Sequence, residues 1–170
     1  MRLEGGAAMA GFDGRIEELV REYGRMLVRL AASRLSSVAD AEDVVQDVFC
    51  VLVSKRPEFS DAEHAKAWLV RATINRAADV RRRAARRNVP LDEAAPVPDA
   101  AAASAQSDLE MLACVRSLPD KYATVLHLHY YEGYSLREIA VLLGVPAATV
   151  GTRLARGRAR LRAILKEESL

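Results

Sequence analysis

Residues 135–160 read SLREIAVLLGVPAATVGTRLARGRAR, and this stretch decides the fold. Ser135 followed by Glu138 is a capping-box signature, in which hydroxyl and carboxylate each satisfy the other residue's backbone donor at a helix start. Ile139, Ala140, Leu142 and Leu143 then supply an apolar side, and Gly144 suits the left-handed residue that ends a helix. Val145-Pro146 opens the next helix, because proline has a helical φ and its missing donor would go unpaired in the first turn anyway. Val150, Leu154, Leu161 and Leu165 form the apolar side of that second helix. Helix, Gly-containing turn and basic helix together predict a helix-turn-helix.

Working outward, helical periodicity at Leu109, Leu112 and Val115 is interrupted by Leu118-Pro119-Asp120, and a further helix is expected from Lys121 to Tyr131, closed by Glu132-Gly133. Upstream, residues 88–108 hold three of the six prolines, four acids and no base. A segment of that composition cannot bury enough surface to fold alone, so it reads as an acidic Pro/Ala-rich linker. Before it lies a second helical unit over residues 14–87. Ile16, Leu19, Val20, Tyr23, Leu27 and Leu30 recur at helical spacing. A second helix starts near Ala39, carries Val44, Val45, Val48, Phe49 and Leu52, and stops before Pro57. A third has Trp68, Leu69, Ala72 and Val80 on one side, which makes Trp68 a core residue. Residues 1–13 are expected to be a flexible tail. The fold class is therefore all-α: two small helical domains joined by a flexible linker, the C-terminal one, 109–170, a helix-turn-helix.

The chain has 170 residues and a formal net charge of +2, but its charges are segregated. Five arginines fall within Arg81–Arg87, and Arg153, Arg156, Arg158, Arg160, Arg162 and Lys166 follow one another with no acid between. Asp40, Glu42, Asp43 and Asp47 make an acidic stretch without a base. Such segregation points to separate partner surfaces, the basic ones suited to a polyanion. In a helix-turn-helix the second helix lies in the major groove, so Thr149, Thr152, Arg153, Arg156 and Arg158 are the candidate DNA-contacting residues. Arg156 is the best placed for a bidentate contact to guanine, whose O6 and N7 match its fork. Asn75, Arg76, Asp79, Arg82 and Arg83 form a polar and basic helix face suited to a nucleic-acid strand, although a charge run is as readily a solvated face. The acids of the second helix, likewise, could merely cap it.

Several classes are set aside. Cys50 and Cys114 lie far apart outside any CxxC pattern, so two reduced, buried thiols are expected rather than a disulfide or zinc site. His127 and His129, two apart on a helix, point to different faces and do not make a metal site. With no nucleophile constellation and no Gly-rich phosphate loop, neither catalysis nor a cofactor is expected. No run of about 18 apolar residues occurs and Met1–Gly11 lacks a signal-peptide core, which points to the cytoplasm and no membrane insertion.

These residues bear a family likeness. Asp40-Ala41-Glu42-Asp43-Val44-Val45-Gln46-Asp47-Val48-Phe49 resembles the helix with which extracytoplasmic-function sigma factors dock on core RNA polymerase. Ala67-Trp68-Leu69 through Asn75, Asp79 and Arg81-Arg82-Arg83 resembles the following helix, which in that family opens the −10 promoter element. Leu118-Pro119, Tyr130 to Ser135, Glu138-Ile139-Ala140 and Gly144 through Leu154 are similar to the domain that reads the −35 element. The resemblance implies that Asp43, Gln46 and Asp47 face core polymerase. It implies that Asn75, Arg76, Asp79, Arg82 and Arg83 lie along the −10 non-template strand, with the loop Glu58–His64 helping to capture an unstacked base. It further implies that Thr149, Thr152, Arg153, Arg156 and Arg158 meet the −35 duplex, and that an anti-sigma factor is a further partner. Gly151 departs from the family pattern, where Lys or Arg is frequent, and so forfeits a contact. The alternative is a stand-alone helix-turn-helix regulator outside polymerase, although no heptad for a symmetric dimer is apparent.

Overall fold

The computed structural model describes residues 4–87 and 113–167, with side chains from 14 to 87 and from 113 to 166. The linker 88–108, with Leu109 and Leu112, lies outside the described residues. Helix α1 spans Glu4–Ala32 and buries Tyr23, Met26, Leu27, Leu30 and Ala31. It begins inside the stretch expected to be a tail, because Ala7, Ala8, Met9 and Ala10 are strong helix formers that prolong an established helix. Helix α2, Val38–Lys55, is capped by Ser37, whose hydroxyl accepts from the Asp40 amide at 3.3 Å. It buries Ala41, Val44, Val45, Val48 and Leu52, a three-and-four spacing that leaves the acids outside. Arg56 takes the left-handed conformation, φ 44°, and ends the helix one residue before Pro57. Helix α3, Ala62–Arg86, starts at Asp61, whose carboxylate accepts from the His64 amide at 2.7 Å. That bond, with one from Ser60, holds the Asp61 carboxyl below its ordinary range. Leu69, Val70, Thr73 and Ala77 are its buried side, and Trp68 packs partly buried on the core, edge-on to Phe59.

In the C-terminal domain residues 113–117 are helical, and α4 follows at Asp120–Leu126. The helix expected to run on evenly to Tyr131 instead widens into a π-helical turn, His127–Tyr131, closed by the Glu132 amide donating to the His127 carbonyl at 3.1 Å. His127 stacks on Tyr131, and His129 Nδ1 lies 2.8 Å from the Tyr134 carbonyl, so both imidazoles are absorbed in local packing. Helix α5, Leu136–Leu143, has its capping box complete: the Glu138 amide donates to Ser135 Oγ at 3.3 Å and the Ser135 amide to Glu138 Oε2 at 2.8 Å. Gly144, φ 66°, turns the chain into α6, Ala147–Glu167, and the two helix axes meet at 108°. Ile139, Leu142, Val150 and Leu154 close the angle between them. Fully burying a side chain of this kind contributes roughly 1.5–3 kcal/mol.

Gly157 and Gly151 in α6 stand in different surroundings. A Cβ on Gly157 would meet Leu126 Cδ1 at 3.1 Å and Tyr122 Cβ at 3.3 Å, so α6 lies against α4 at glycine distance. A Cβ on Gly151 would sit 3.6 Å from Leu136 Cδ2, an ordinary contact.

The two domains are not separate bodies. One hydrophobic core runs from Leu27 and Val70 through Leu128 and Leu142 to Val150, with α3 packed against α5. Arg29 makes two 2.9 Å bonds to Glu132 across this seam. Burial pushes the Glu132 carboxyl up, but hydrogen bonds from His127 and Arg29 and their charges outweigh it and hold it at about 2. Cys114 is buried as expected, whereas Cys50 is exposed because it falls on the outer, acidic side of α2.

Two outcomes are expected. Gly157→Val should lower the urea-unfolding free energy by about 1–3 kcal/mol through overpacking, whereas Gly151→Ala should leave it unchanged or raise it by up to about 1 kcal/mol. A carboxyl depressed in the folded state contributes stability above its ordinary value of 4.5 and loses it as pH falls toward about 2. The stability gap between wild type and Glu132→Gln should therefore be full at neutral pH and close across that acid window in pH-dependent denaturation.

Candidate nucleic-acid interface

Side chains on α6 divide by angle, at about 100° per residue. Thr149, Thr152, Arg153, Arg156 and Arg160 fall on one flank, while Val150, Leu154 and Gly157 face the core. Thr149, Thr152, Arg153 and Arg156 line a single concavity of about 340 Å³, joined by Ala148, Lys121 and Tyr122 from the start of α4. Four of the five residues expected to meet duplex DNA are thus brought together. Arg158 is exposed on the other flank with Arg162 and does not line this surface. Gly151 lies on that other flank too, turned toward Leu136, so a basic side chain there would not join the concavity.

Lys121, Tyr122 and Arg160 complete the surface. The Lys121 ammonium lies 5.1 Å from the Tyr122 ring centre and the Arg160 guanidinium 5.2 Å. Burial pushes the Tyr122 hydroxyl up, but a hydrogen bond with Arg156 and the charges of Lys121 and Arg160 leave it lowered overall. Tyr122 therefore steadies the Arg156 fork from below. Arg160 could have been found from its place one turn beyond Arg156. Lys121 and Tyr122 belong to a different helix, and only tertiary packing brings them in.

On α3, Asn75, Arg82 and Arg83 are exposed, while Arg76 and Asp79 are half-buried. Asp79 and Arg82 are ion-paired with each other. Arg76 reaches across to α2 and holds Asp47 Oδ2 through Nε at 2.9 Å. Asp43, Gln46 and Asp47 are exposed at helical spacing on one face of α2, with Cys50 a turn beyond. Two residues expected to serve different partners, Arg76 and Asp47, are thus each other's partner here. In the segment from Glu58 to His64, Phe59 stacks edge-on against His64, and Glu58, Phe59 and Asp61 line a cavity of about 620 Å³ with residues of α1. No cluster able to hold a metal ion occurs among the described residues. Nor, among them, is any single helix long and apolar enough to cross a membrane.

An acidic outer face on α2, a basic and polar α3 and a helix-turn-helix, in that order, are the parts of a transcription-initiation sigma factor. Residues 19–87 match the family model described as Sigma-70 region 2, and residues 108–161 that of Sigma-70, region 4. The chain belongs to the extracytoplasmic-function (ECF) RNA polymerase sigma factors, and its function is to direct transcription initiation. It is 32% identical over 160 residues to the ECF RNA polymerase sigma factor SigM of Mycobacterium tuberculosis, covering 94% of this chain and 81% of the relative. To the ECF RNA polymerase sigma factor SigW of Bacillus subtilis it is 29% identical, covering 88% of each. Among solved structures it resembles the sigma factor RpoE of Bartonella quintana in complex with the anti-sigma factor NepR, with a TM-score of 0.70, 23% identity and coverage of 88% and 96%. CnrH, in complex with the cytosolic domain of CnrY, gives a TM-score of 0.70 at 26% identity, covering 95% and 94%. The family sets aside the stand-alone regulator.

Arg156→Ala is expected to weaken binding to a preferred duplex by about tenfold or more, with a smaller loss on random duplex. Lys121→Ala should weaken both alike and flatten the salt dependence of binding by about one unit of slope. Fluorescence-anisotropy titrations across salt concentrations measure both effects.

Proposed function

We propose that this sigma factor docks on core RNA polymerase through Asp43, Gln46 and Asp47 on α2, and reads promoter DNA through two separate surfaces. Thr149, Thr152, Arg153 and Arg156, with Lys121 and Tyr122 beneath, engage the −35 duplex. Arg158 contributes phosphate attraction from the far flank. Asn75, Arg76, Asp79, Arg82 and Arg83 follow the −10 non-template strand, and the segment 58–64 receives an unstacked base. Base capture costs a few kcal/mol of stacking, offset by a pocket and backbone contacts. The protein itself performs no covalent chemistry, needs no cofactor, and acts in the cytoplasm beside polymerase. An anti-sigma factor is a further partner, a reading supported by the inhibitor-bound state in which the RpoE relative was solved.

The observation that carries this reading is the convergence of four recognition-helix side chains on one exposed concavity. The acids stand on a different helix with their carboxylates outward. The electrostatics suit the division, since a cationic helix attracts phosphates whatever the sequence and an arginine fork then discriminates a guanine.

Run-off transcription with purified core polymerase on fragments of the source genome tests it. Discrete transcripts that depend on the protein, and that disappear when Asp43 and Asp47 are both replaced by Arg, are the expected result. Sound duplex binding with no core complex and no transcripts would return the stand-alone regulator.

A further inference from the structure

Residues of α3, α4, α5 and α6 line a recess of about 330 Å³ whose wall carries four cations, Arg34, Arg71, Lys121 and Arg153, and one acid, Asp120. That acid is already occupied: Arg34 Nη2 stands 3.1 Å from Asp120 Oδ2, and Arg81, outside the recess, donates to Oδ1. Arg34 is buried, and its Nε has no hydrogen-bond partner. Among the described residues no carboxylate pairs with Arg71, Lys121 or Arg153. The hydrogen bond of Arg71 goes instead to a neutral group, the Leu142 carbonyl, at a long 3.4 Å. Ile74, Ala78 and Leu143 make an apolar stretch of the same wall, and the exposed Asn75 brings an amide with both donors and an acceptor. Like charges gathered round one recess repel, and apolar walls focus their field into it. A bound anion relieves that repulsion, and guanidinium forks match phosphate oxygens two at a time.

We propose that this recess binds a nucleoside di- or triphosphate, with the phosphates held by Arg71, Lys121 and Arg153 and the base laid on Ile74, Ala78 and Leu143 beside the Asn75 amide. The volume stands at the lower end of the roughly 300–1,000 Å³ that small-molecule sites span, which suits a mononucleotide. A lone phosphate would answer one or two of the cations and leave the apolar wall wet. A chain of two or three phosphates answers all three cations and carries a flat ring to cover that wall.

The site goes beyond the promoter-reading assignments and does not depend on them. It shares Lys121, Arg153 and Asn75 with surfaces given to DNA above, whereas Arg71, Ile74, Ala78 and Leu143 belong to the recess and not to the concavity on α6. A nucleic-acid strand is the rival source of phosphate. Its phosphates are spaced a whole sugar apart, while those of a nucleoside triphosphate are joined through single bridging oxygens, the closer match to cations grouped round one small recess. Nucleoside triphosphates are also the substrates of RNA polymerase, so ligands of this class are present wherever an initiation factor acts.

Fluorescence anisotropy of ATP labelled on its ribose, titrated with the full-length chain at about 150 mM salt, tests the site. The expected result is saturable binding of one nucleotide per chain, reversed by unlabelled ATP or GDP and not by adenosine. Inorganic phosphate should displace the probe at least about tenfold less well than ATP, because it reaches fewer of the cations. Arg71→Gln removes one charge and keeps most of the stem, so it should weaken ATP binding by about tenfold or more while thermal unfolding and duplex binding stay as in the wild type. Ala78→Leu narrows the recess without touching a cation, and should weaken ATP binding while leaving duplex binding unchanged. Should Arg71→Gln not fold, Ala78→Leu decides alone. No saturable binding up to about 1 mM nucleotide, or binding that neither variant alters, overturns the proposal. Displacement by a short single-stranded oligonucleotide as effective as by ATP would overturn it too, and would return these cations to a DNA strand.

Discussion

A guanidinium taken out of water is what this structure has to accommodate. Arg34 sits between the domains almost wholly buried, and burial alone would pull its pKa down and disfavour its charge. Asp120 is the answer, since its carboxylate and its carbonyl both face Arg34. The same carboxylate takes Arg81 and stands in the first turn of α4, where an anion is favoured by the helix dipole. One acid thus serves a buried cation, a half-exposed cation and a helix terminus. Removing either member of a buried pair leaves an uncompensated charge, which costs far more than the pair contributes. The position of α4, and with it Lys121 and Tyr122 under the recognition helix, follows from that constraint.

The charge segregation visible along the chain becomes a spatial arrangement with one unexpected tie. Acids on α2 and bases on α3 face outward from neighbouring helices, and Arg76 and Asp47 pair across them. Both are at least a third exposed, so the pair stabilises little, within about 1 kcal/mol. Its interest is that, on the roles proposed above, each residue must leave the other before meeting its partner. An arginine set free in this way is a stronger phosphate ligand than one still neutralised.

Features fixed by a few neighbouring residues were legible in the sequence. The capping box at Ser135, the left-handed Gly144 and the buried stripe of α2 depend on local spacing, and all three are found where expected. The four recognition-helix residues could be chosen because helical angle alone sets which of them share a flank. Arg158 was grouped with them by charge, although its angle belongs to the other flank. The π-helical turn was not legible, because an α-helix and its one-residue expansion have nearly the same apolar pattern. Nor was the seam between domains: Arg29 and Glu132 are 103 residues apart, and nothing local in either names the other. Cys50 was misread because thiols are usually buried, whereas its neighbours on α2 already placed it on the acidic side.

The widened turn at 127–131 has a consequence for how this chain can change over time. A π-turn is an α-helix carrying one extra residue, and everything after it is rotated by about 100° relative to an unexpanded helix. Glu132 is the first residue past the expansion, and its bonds to Arg29 and its 3.3 Å approach to His127 exist only in that rotated register. A single-codon deletion within Leu128–Tyr131 would leave Arg29, His127 and Glu132 all present in the protein, yet aim Glu132 away from Arg29. Loss of length, with no change of chemistry, would then break the Arg29–Glu132 tie between the two domains.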